Sequence, residues 1–183
     1  EIDLMPKTLA FGLGSAMAEI DGLLKVNNTK IPESAFLLPS DNSILEDLKL
    51  KVKQYSSSKV PTTFKMKVAK EKNIVEKKIL DEVFNYLPKN ARLRIDANGG
   101  WKRQEAKEWA NLLKNEKRLE WIEQPLDPYD IEGLEELAKV IPVALDESLL
   151  VKPSLCKTWK GWQVRHPSLE GDPRHLLKEL TQG

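Results

Sequence analysis

The chain has 183 residues, 40% of them hydrophobic, enough to bury one sizeable core in a single domain or a little more. Its 29 Lys and Arg balance 28 Asp and Glu and are scattered through helical stretches, without the basic stripe that a nucleic-acid partner demands. No apolar run nears the roughly 18 residues that span a bilayer, and Glu1 to Pro6 have no signal-peptide pattern, so no membrane partner is expected.

From Leu9 the apolar residues Leu9, Leu13, Ala16 and Ile20 follow a helical period, and Gly12, Gly14, Ser15 and Ala16 allow close packing. After the turn-rich Asn27 to Thr29, Ile31 to Leu38 reads as a strand ended by Pro39. Ile44, Leu45, Leu48, Val52 and Tyr55 then mark a helix. The alternation repeats. Strands are predicted at Thr62 to Val68, Arg92 to Ala97, Glu120 to Glu123, Val143 to Asp146 and Trp162 to Arg165. The helices between them are marked by Ile79, Leu80 and Val83, by Ala106, Trp109 and Leu113, and by Leu134, Leu137 and Ile141.

This rhythm without hairpin signals implies parallel βαβ units, and so an α/β fold, either a barrel or an open doubly wound sheet. No GxGxxG or P-loop motif follows any strand, and Gly99-Gly100 reads as a tight turn from strand to helix. The lone Cys156 has no metal-ligand or CxxC spacing around it; it is expected to be a half-buried spacer thiol in a reducing, cytoplasmic setting.

Three successive predicted strands end in an acid: Asp96, Glu123 and Asp146, spaced 27 and 23 residues apart. At about one strand-helix unit each, all three emerge at the same C-terminal edge of a parallel sheet. Three carboxylates that close repel one another and raise one another's pKa; a hard divalent cation with oxygen ligands removes the conflict. One unit earlier, Lys65 and Lys67 alternate with apolar residues and share a strand face. Two neighbouring ammonium groups disfavour each other's charge, which is expected to lower a lysine pKa toward neutrality and supply a general base.

Taken together, Lys65-Met-Lys67, Asp96-Ala-Asn98, Trp121-Ile-Glu123-Gln-Pro125 and Leu145-Asp146-Glu147-Ser148 resemble the ordered signature of the enolase superfamily. Within it, Phe11-Gly-Leu-Gly-Ser-Ala16, Ile31-Pro-Glu-Ser-Ala-Phe-Leu-Leu-Pro39 and Asp96-Ala-Asn-Gly-Gly-Trp101 look most like the o-succinylbenzoate synthases, a similarity running from about Leu9 to about Arg174. The resemblance implies a (β/α) barrel. About six of its eight strand-helix units are present and the capping domain is largely missing, with residues 1–30 as a residual cap or linker helix and 31–183 as a partial barrel. Both ends of a complete barrel enzyme are expected to lie outside this sequence, which starts at Glu1 without an initiating Met.

By the same resemblance Asp96, Glu123 and Asp146 bind Mg²⁺, with Mn²⁺ as a substitute. Lys67 exchanges the α-proton of a small-molecule carboxylate, Lys65 assists electrostatically, and Asn98 and Glu147 are polar partners around the metal shell. The family reaction is a dehydration in quinone biosynthesis, toward menaquinone or phylloquinone: a base removes the proton α to the carboxylate of a cyclohexadiene acid and hydroxide leaves.

Two features depart from the pattern. The family places a lysine before a proline at the end of the sixth strand, where this chain has His166 with Arg165 beside it; either cation is expected to take the electrostatic role. Lys152 in Val151-Lys152-Pro153 follows the fifth strand too closely to replace it and is read as a surface residue, as is the helical His175. Two other functions fit the same residues: an N-acylamino acid racemase, dipeptide epimerase or muconate cycloisomerase, and a non-catalytic metal-binding remnant. The oligomeric state is not legible.

Overall fold

In the computed structural model, the residues described are 2–23, 34–55 and 62–182. They form two compact units, one of Glu33–Val164 and the other of Glu1–Pro32 with Arg165–Gly183.

The larger unit alternates strands and helices: β1 (Phe36–Leu37), α2 (Ile44–Tyr55), β2 (Thr63–Lys67), α3 (Asn73–Tyr86), β3 (Arg92–Asp96), α4 (Arg103–Leu113), β4 (Leu119–Glu123), α5 (Ile131–Ala138), β5 (Val143–Leu145), the short α6 (Glu147–Val151) and α7 (Leu155–Thr158), and β6 (Trp162–Gln163), after α1 (Lys7–Ile20) of the other unit. The described strands make one parallel sheet in the order β1-β2-β3-β4-β5-β6. Sequential order without reversal is the order of a (β/α) barrel, so the doubly wound alternative falls away.

The pleat divides the sheet chemically. Phe64, Met66, Leu93, Ile95, Ile122 and Leu145 are buried together with the helix residues Leu48, Leu80, Val83, Trp109, Leu113 and Leu134 in one continuous apolar core. The opposite face carries Lys65, Lys67, Arg94, Asp96, Trp121 and Glu123, by the pairing Lys65↔Arg94↔Trp121 and Lys67↔Asp96↔Glu123. Pairing shifts between Leu93 and Arg94, leaving Glu120 as an extra residue in β4. Its carboxylate accepts a 2.6 Å hydrogen bond from Arg94 Nε.

The sequence-predicted elements are all present where described; β1, β2, β3, β5 and β6 are shorter than expected, and β4 begins one residue earlier, at Leu119. Ile31 to Glu33 of the first predicted strand lie outside the described residues. The sixth strand stops at Gln163, with Val164 still donating its N–H to the Leu145 carbonyl at 2.8 Å. Between β5 and β6 lie two short helices, the second entered past Pro153, whose ring cannot continue a helix.

In the smaller unit α1 has the expected period but a different buried stripe. Ala10, Gly14 and Ala18 are buried, whereas Leu9 and Ile20 are 56% and 84% exposed. A Cβ at Gly14 would collide with the Asp172 carboxylate and lie 2.8 Å from Pro173 Cδ, so closeness of approach selects the small side chains. The unit also contains α8 (Pro167–Glu170) and α9 (Arg174–Gln182), on which His175 is exposed, as expected. Lys152 is exposed and Cys156 half-buried, also as expected. Among the described residues no helix is long and apolar enough to cross a membrane.

Candidate functional site

The C-terminal ends of β2, β3 and β4 bring together most of the residues singled out above. Lys65 Nζ lies 2.9 Å from Asp96 Oδ2 and 2.7 Å from Glu123 Oε1, so a single ammonium bridges two acids. Lys67 Nζ is 3.3 Å from the same Asp96 oxygen and donates to Asn98 Oδ1 at 2.6 Å. Asn98 Nδ2 in turn donates to Glu147 Oε1 at 3.2 Å, and the Asn98 backbone N–H donates to Asp96 Oδ1 at 3.0 Å. Asp96, Glu123 and Asp146 are all buried. Asp146 stands just past β5 at the head of α6.

The electrostatics follow from this crowding. Burial pushes the Glu123 carboxyl above its ordinary value; Asp96 and Asp146 push the same way, and the hydrogen bond from Lys65 opposes them. Lys65 corrects an expectation from the sequence. Burial disfavours its charge, but hydrogen bonds to Glu123 and Asp96 outweigh burial and hold its pKa above the ordinary lysine value. Its two carboxylate partners, not a neighbouring ammonium, set the direction of the shift.

Among the described residues no three Asp, Glu, His or Cys side chains are gathered as a ready-made metal-binding group. Lys65 supplies the positive charge between Asp96 and Glu123. The donor chemistry nonetheless fits a hard divalent cation: three buried carboxylates end consecutive strands, and Glu123 feels the charge of the other two. Beside Asp146, Glu147 Oε2 is buried without a hydrogen-bond partner, an orphaned carboxylate oxygen that a cation would satisfy.

Arg165 and His166 fall in the smaller unit. There the Arg165 guanidinium donates to Glu170 Oε1 at 2.7 Å and pairs with Glu170 Oε2, while the His166 backbone N–H donates to Glu170 Oε1 at 3.2 Å at the head of α8. Arg165 first, then His166, holds the Glu170 carboxyl below its usual range.

Two supporting residues escaped the sequence reading. Glu76, in the first turn of α3, is buried and accepts the backbone N–H groups of Ala69, Lys70 and Glu71 at 3.0, 2.8 and 3.0 Å, gripping the loop that leaves Lys67. Gln124 follows Glu123 and is wholly buried. The described non-glycine residues with positive φ are Ala69 (60°), Asn98 (45°) and Gln124 (36°). Each sits within two residues of Lys67, Asp96 or Glu123, so among the described residues the left-handed non-glycine backbone collects at the site. Only Gln124 and Glu76 as acidic or amide side chains after a strand end or in a helix first turn were visible beforehand, and such residues are common without any role.

Comparison with known proteins bears on this site. The model of the family described as enolase C-terminal domain-like matches residues 47–152. The chain is 36% identical over 138 residues to an o-succinylbenzoate synthase of Thermosynechococcus vestitus, covering 71% of this chain and 43% of that protein. It is 36% identical over 91 residues to an L-Ala-D/L-Glu epimerase of Francisella tularensis subsp. novicida, covering 48% of this chain and 25% of that one. Among solved structures, the o-succinylbenzoate synthase of Thermosynechococcus elongatus BP-1, with magnesium in its active site, superposes with TM-score 0.75 and 29% identity, covering 100% of this chain and 58% of that one. Muconate lactonizing enzyme of Pseudomonas fluorescens, with TM-score 0.75 at 18% identity, covers 97% of this chain and 52% of its own, and shares the fold. The chain thus spans about half the length of these two synthases, 43% of one and 58% of the other.

Proposed function

The chain belongs to the enolase C-terminal domain-like family, and from that premise we propose that it carries the metal-binding and proton-transfer portion of an o-succinylbenzoate synthase. The substrate is 2-succinyl-6-hydroxy-2,4-cyclohexadiene-1-carboxylate, which loses its α-proton and hydroxide to become aromatic. The carrying observation is the array of Lys65 and Lys67 ammonium groups against Asp96, Glu123 and Asn98 at consecutive strand ends.

In this reading Asp96, Glu123 and Asp146 hold Mg²⁺, or Mn²⁺ in its place. When bound, the ion supplies a Lewis acid for the substrate carboxylate. Lys67 takes the α-proton at Nζ, with Asn98 fixing the direction of its side chain and Glu147 fixing Asn98. Lys65 stays charged, as its carboxylate partners favour, and offers positive charge toward the substrate carboxylate. Arg165 or His166 is assigned the electrostatic part of the sixth-strand lysine. The division into a cap or linker helix over 1–30 and a barrel portion over 31–183, and a cytoplasmic location inferred from the lone Cys156, belong to the same proposal.

Support for the synthase over its relatives comes from extent: the synthase match covers 71% of the chain and the epimerase match 48%. The epimerase identity keeps dipeptide epimerisation as the second reading. The test is Mg²⁺-dependent formation of o-succinylbenzoate, followed by ultraviolet absorbance, with L-Ala-L-Glu as competing substrate and Lys67→Ala as control. Aromatic product is expected, abolished in Lys67→Ala while that variant still binds Mg²⁺. Unchanged turnover in Lys67→Ala overturns the base; epimerised dipeptide without dehydration shifts the reading to an epimerase; bound Mg²⁺ with no turnover of either leaves a non-catalytic remnant.

A further inference from the structure

We propose that Gln124 is a positioning residue that sets the placement of Glu123 against Asp146, with Ser148 completing its seat; this rests on reading those two acids as ligands of a divalent cation. Gln124 and Ser148 are both wholly buried. The Gln124 amide uses its full hydrogen-bonding capacity. Nε2 donates to the Leu126 carbonyl at 3.0 Å and to Ser148 Oγ at 2.8 Å, and Oε1 accepts the backbone N–H groups of Asp146 and Ser148, each at 3.1 Å. Ser148 Oγ passes its own hydrogen to the Pro128 carbonyl at 3.0 Å.

The Gln124 backbone extends the same tie across three strand ends. Its N–H donates to the Ala144 carbonyl of β5 at 2.9 Å, and its carbonyl accepts Gly99 N–H, just past β3, at 2.7 Å. Gln124 is therefore bonded on one side to the turn after Asp96 and on the other to the backbone of Asp146, and it directly follows Glu123. An apolar side chain of similar shape would fill the space without the four bonds. Its left-handed φ of 36°, a conformation that costs a non-glycine residue free energy, is held in place by these bonds. Mg²⁺ demands near-ideal octahedral geometry, so small displacements of a carboxylate weaken binding steeply, and residues that orient ligands carry that geometry.

The experiment is Mg²⁺ titration by isothermal calorimetry on the full chain, comparing Gln124→Met, Ser148→Ala and a remote core variant, Leu137→Ala, with thermal midpoints measured for each. Gln124→Met and Ser148→Ala are expected to weaken Mg²⁺ about tenfold or more, while Leu137→Ala lowers the midpoint and leaves affinity unchanged. If Gln124→Met does not fold, Ser148→Ala decides alone. Affinity within twofold of the parent in both site variants, or an equal loss in Leu137→Ala, overturns the positioning role while leaving the metal reading intact. A parent chain that binds no Mg²⁺, or an Asp146→Asn variant that binds it unchanged, overturns the metal reading and the positioning role with it.

Discussion

Replacing Glu76 by Ala measures how firmly the loop after β2 holds Lys67. The carboxylate accepts three backbone N–H groups, from Ala69, Lys70 and Glu71, at 2.8 to 3.0 Å. A hydrogen bond to a charged group contributes about 1.5–3 kcal/mol, but a donor that water can reach on mutation recovers much of that. Lys70 and Glu71 are exposed and Ala69 is half-buried, so one bond is lost nearly in full and two in part. The expected cost is about 2–4 kcal/mol. Glu76→Gln separates the contributions: Oε1 serves Lys70 and Glu71 and Oε2 serves Ala69, so an amide keeps two bonds and turns its NH₂ toward the Ala69 N–H. It is expected to cost about 1–2 kcal/mol. The assay is urea unfolding with the slope checked for constancy. A Glu76→Ala midpoint corresponding to less than about 0.5 kcal/mol, or Glu76→Gln proving worse than Glu76→Ala, would refute this account of the loop.

Trp109 is fully buried, stacks on Trp101 with centroids 4.8 Å apart and donates Nε1–H to Asn73 at 2.5 Å, so Trp109→Ala is expected to cost about 3–5 kcal/mol by chemical denaturation. Gly100→Ala brings a Cβ to 2.6 Å from Ala69 Cβ and 3.0 Å from the Ala97 carbonyl; about 1–3 kcal/mol of destabilisation is expected, and a neutral thermal midpoint contradicts the packing at this turn. Asp130 caps α5 through Gly133 N–H, so Asp130→Ala is expected to lose about 1 kcal/mol. Asp130 also predicts a pH dependence. The Arg103 hydrogen bond depresses its folded pKa below the ordinary 3.8, so its stabilisation is complete above that value and is lost as pH falls through the lower folded value. Asp130→Asn should show a flatter stability profile below pH 4 than the parent, read from urea midpoints at successive pH values.

The parallel alternation of strand and helix was legible because strands such as Arg92 to Asp96 announced themselves by an apolar run and a polar residue at the end, whereas the barrel order came from the family resemblance alone. The gathering of Lys65, Lys67, Asp96 and Glu123 was legible because period-two alternation fixes which side chains share a face. What remained hidden depends on contacts distant in sequence. Nothing in the spacing of Ala10, Gly14 and Ala18 says that Asp172 and Pro173 press on Gly14, and the raised pKa of Lys65 depends on carboxylates 31 and 58 residues away in the chain. Gln124 and Glu76 act largely through backbone groups of other segments, which their residue types do not reveal.

The sheet's outermost described strands, Phe36–Leu37 and Trp162–Gln163, are each only two residues long, against five in β2, β3 and β4. Each has few ladder hydrogen bonds to hold it, so of the described strands β1 and β6 are expected to exchange their amide hydrogens well before the five-residue strands at the centre of the sheet.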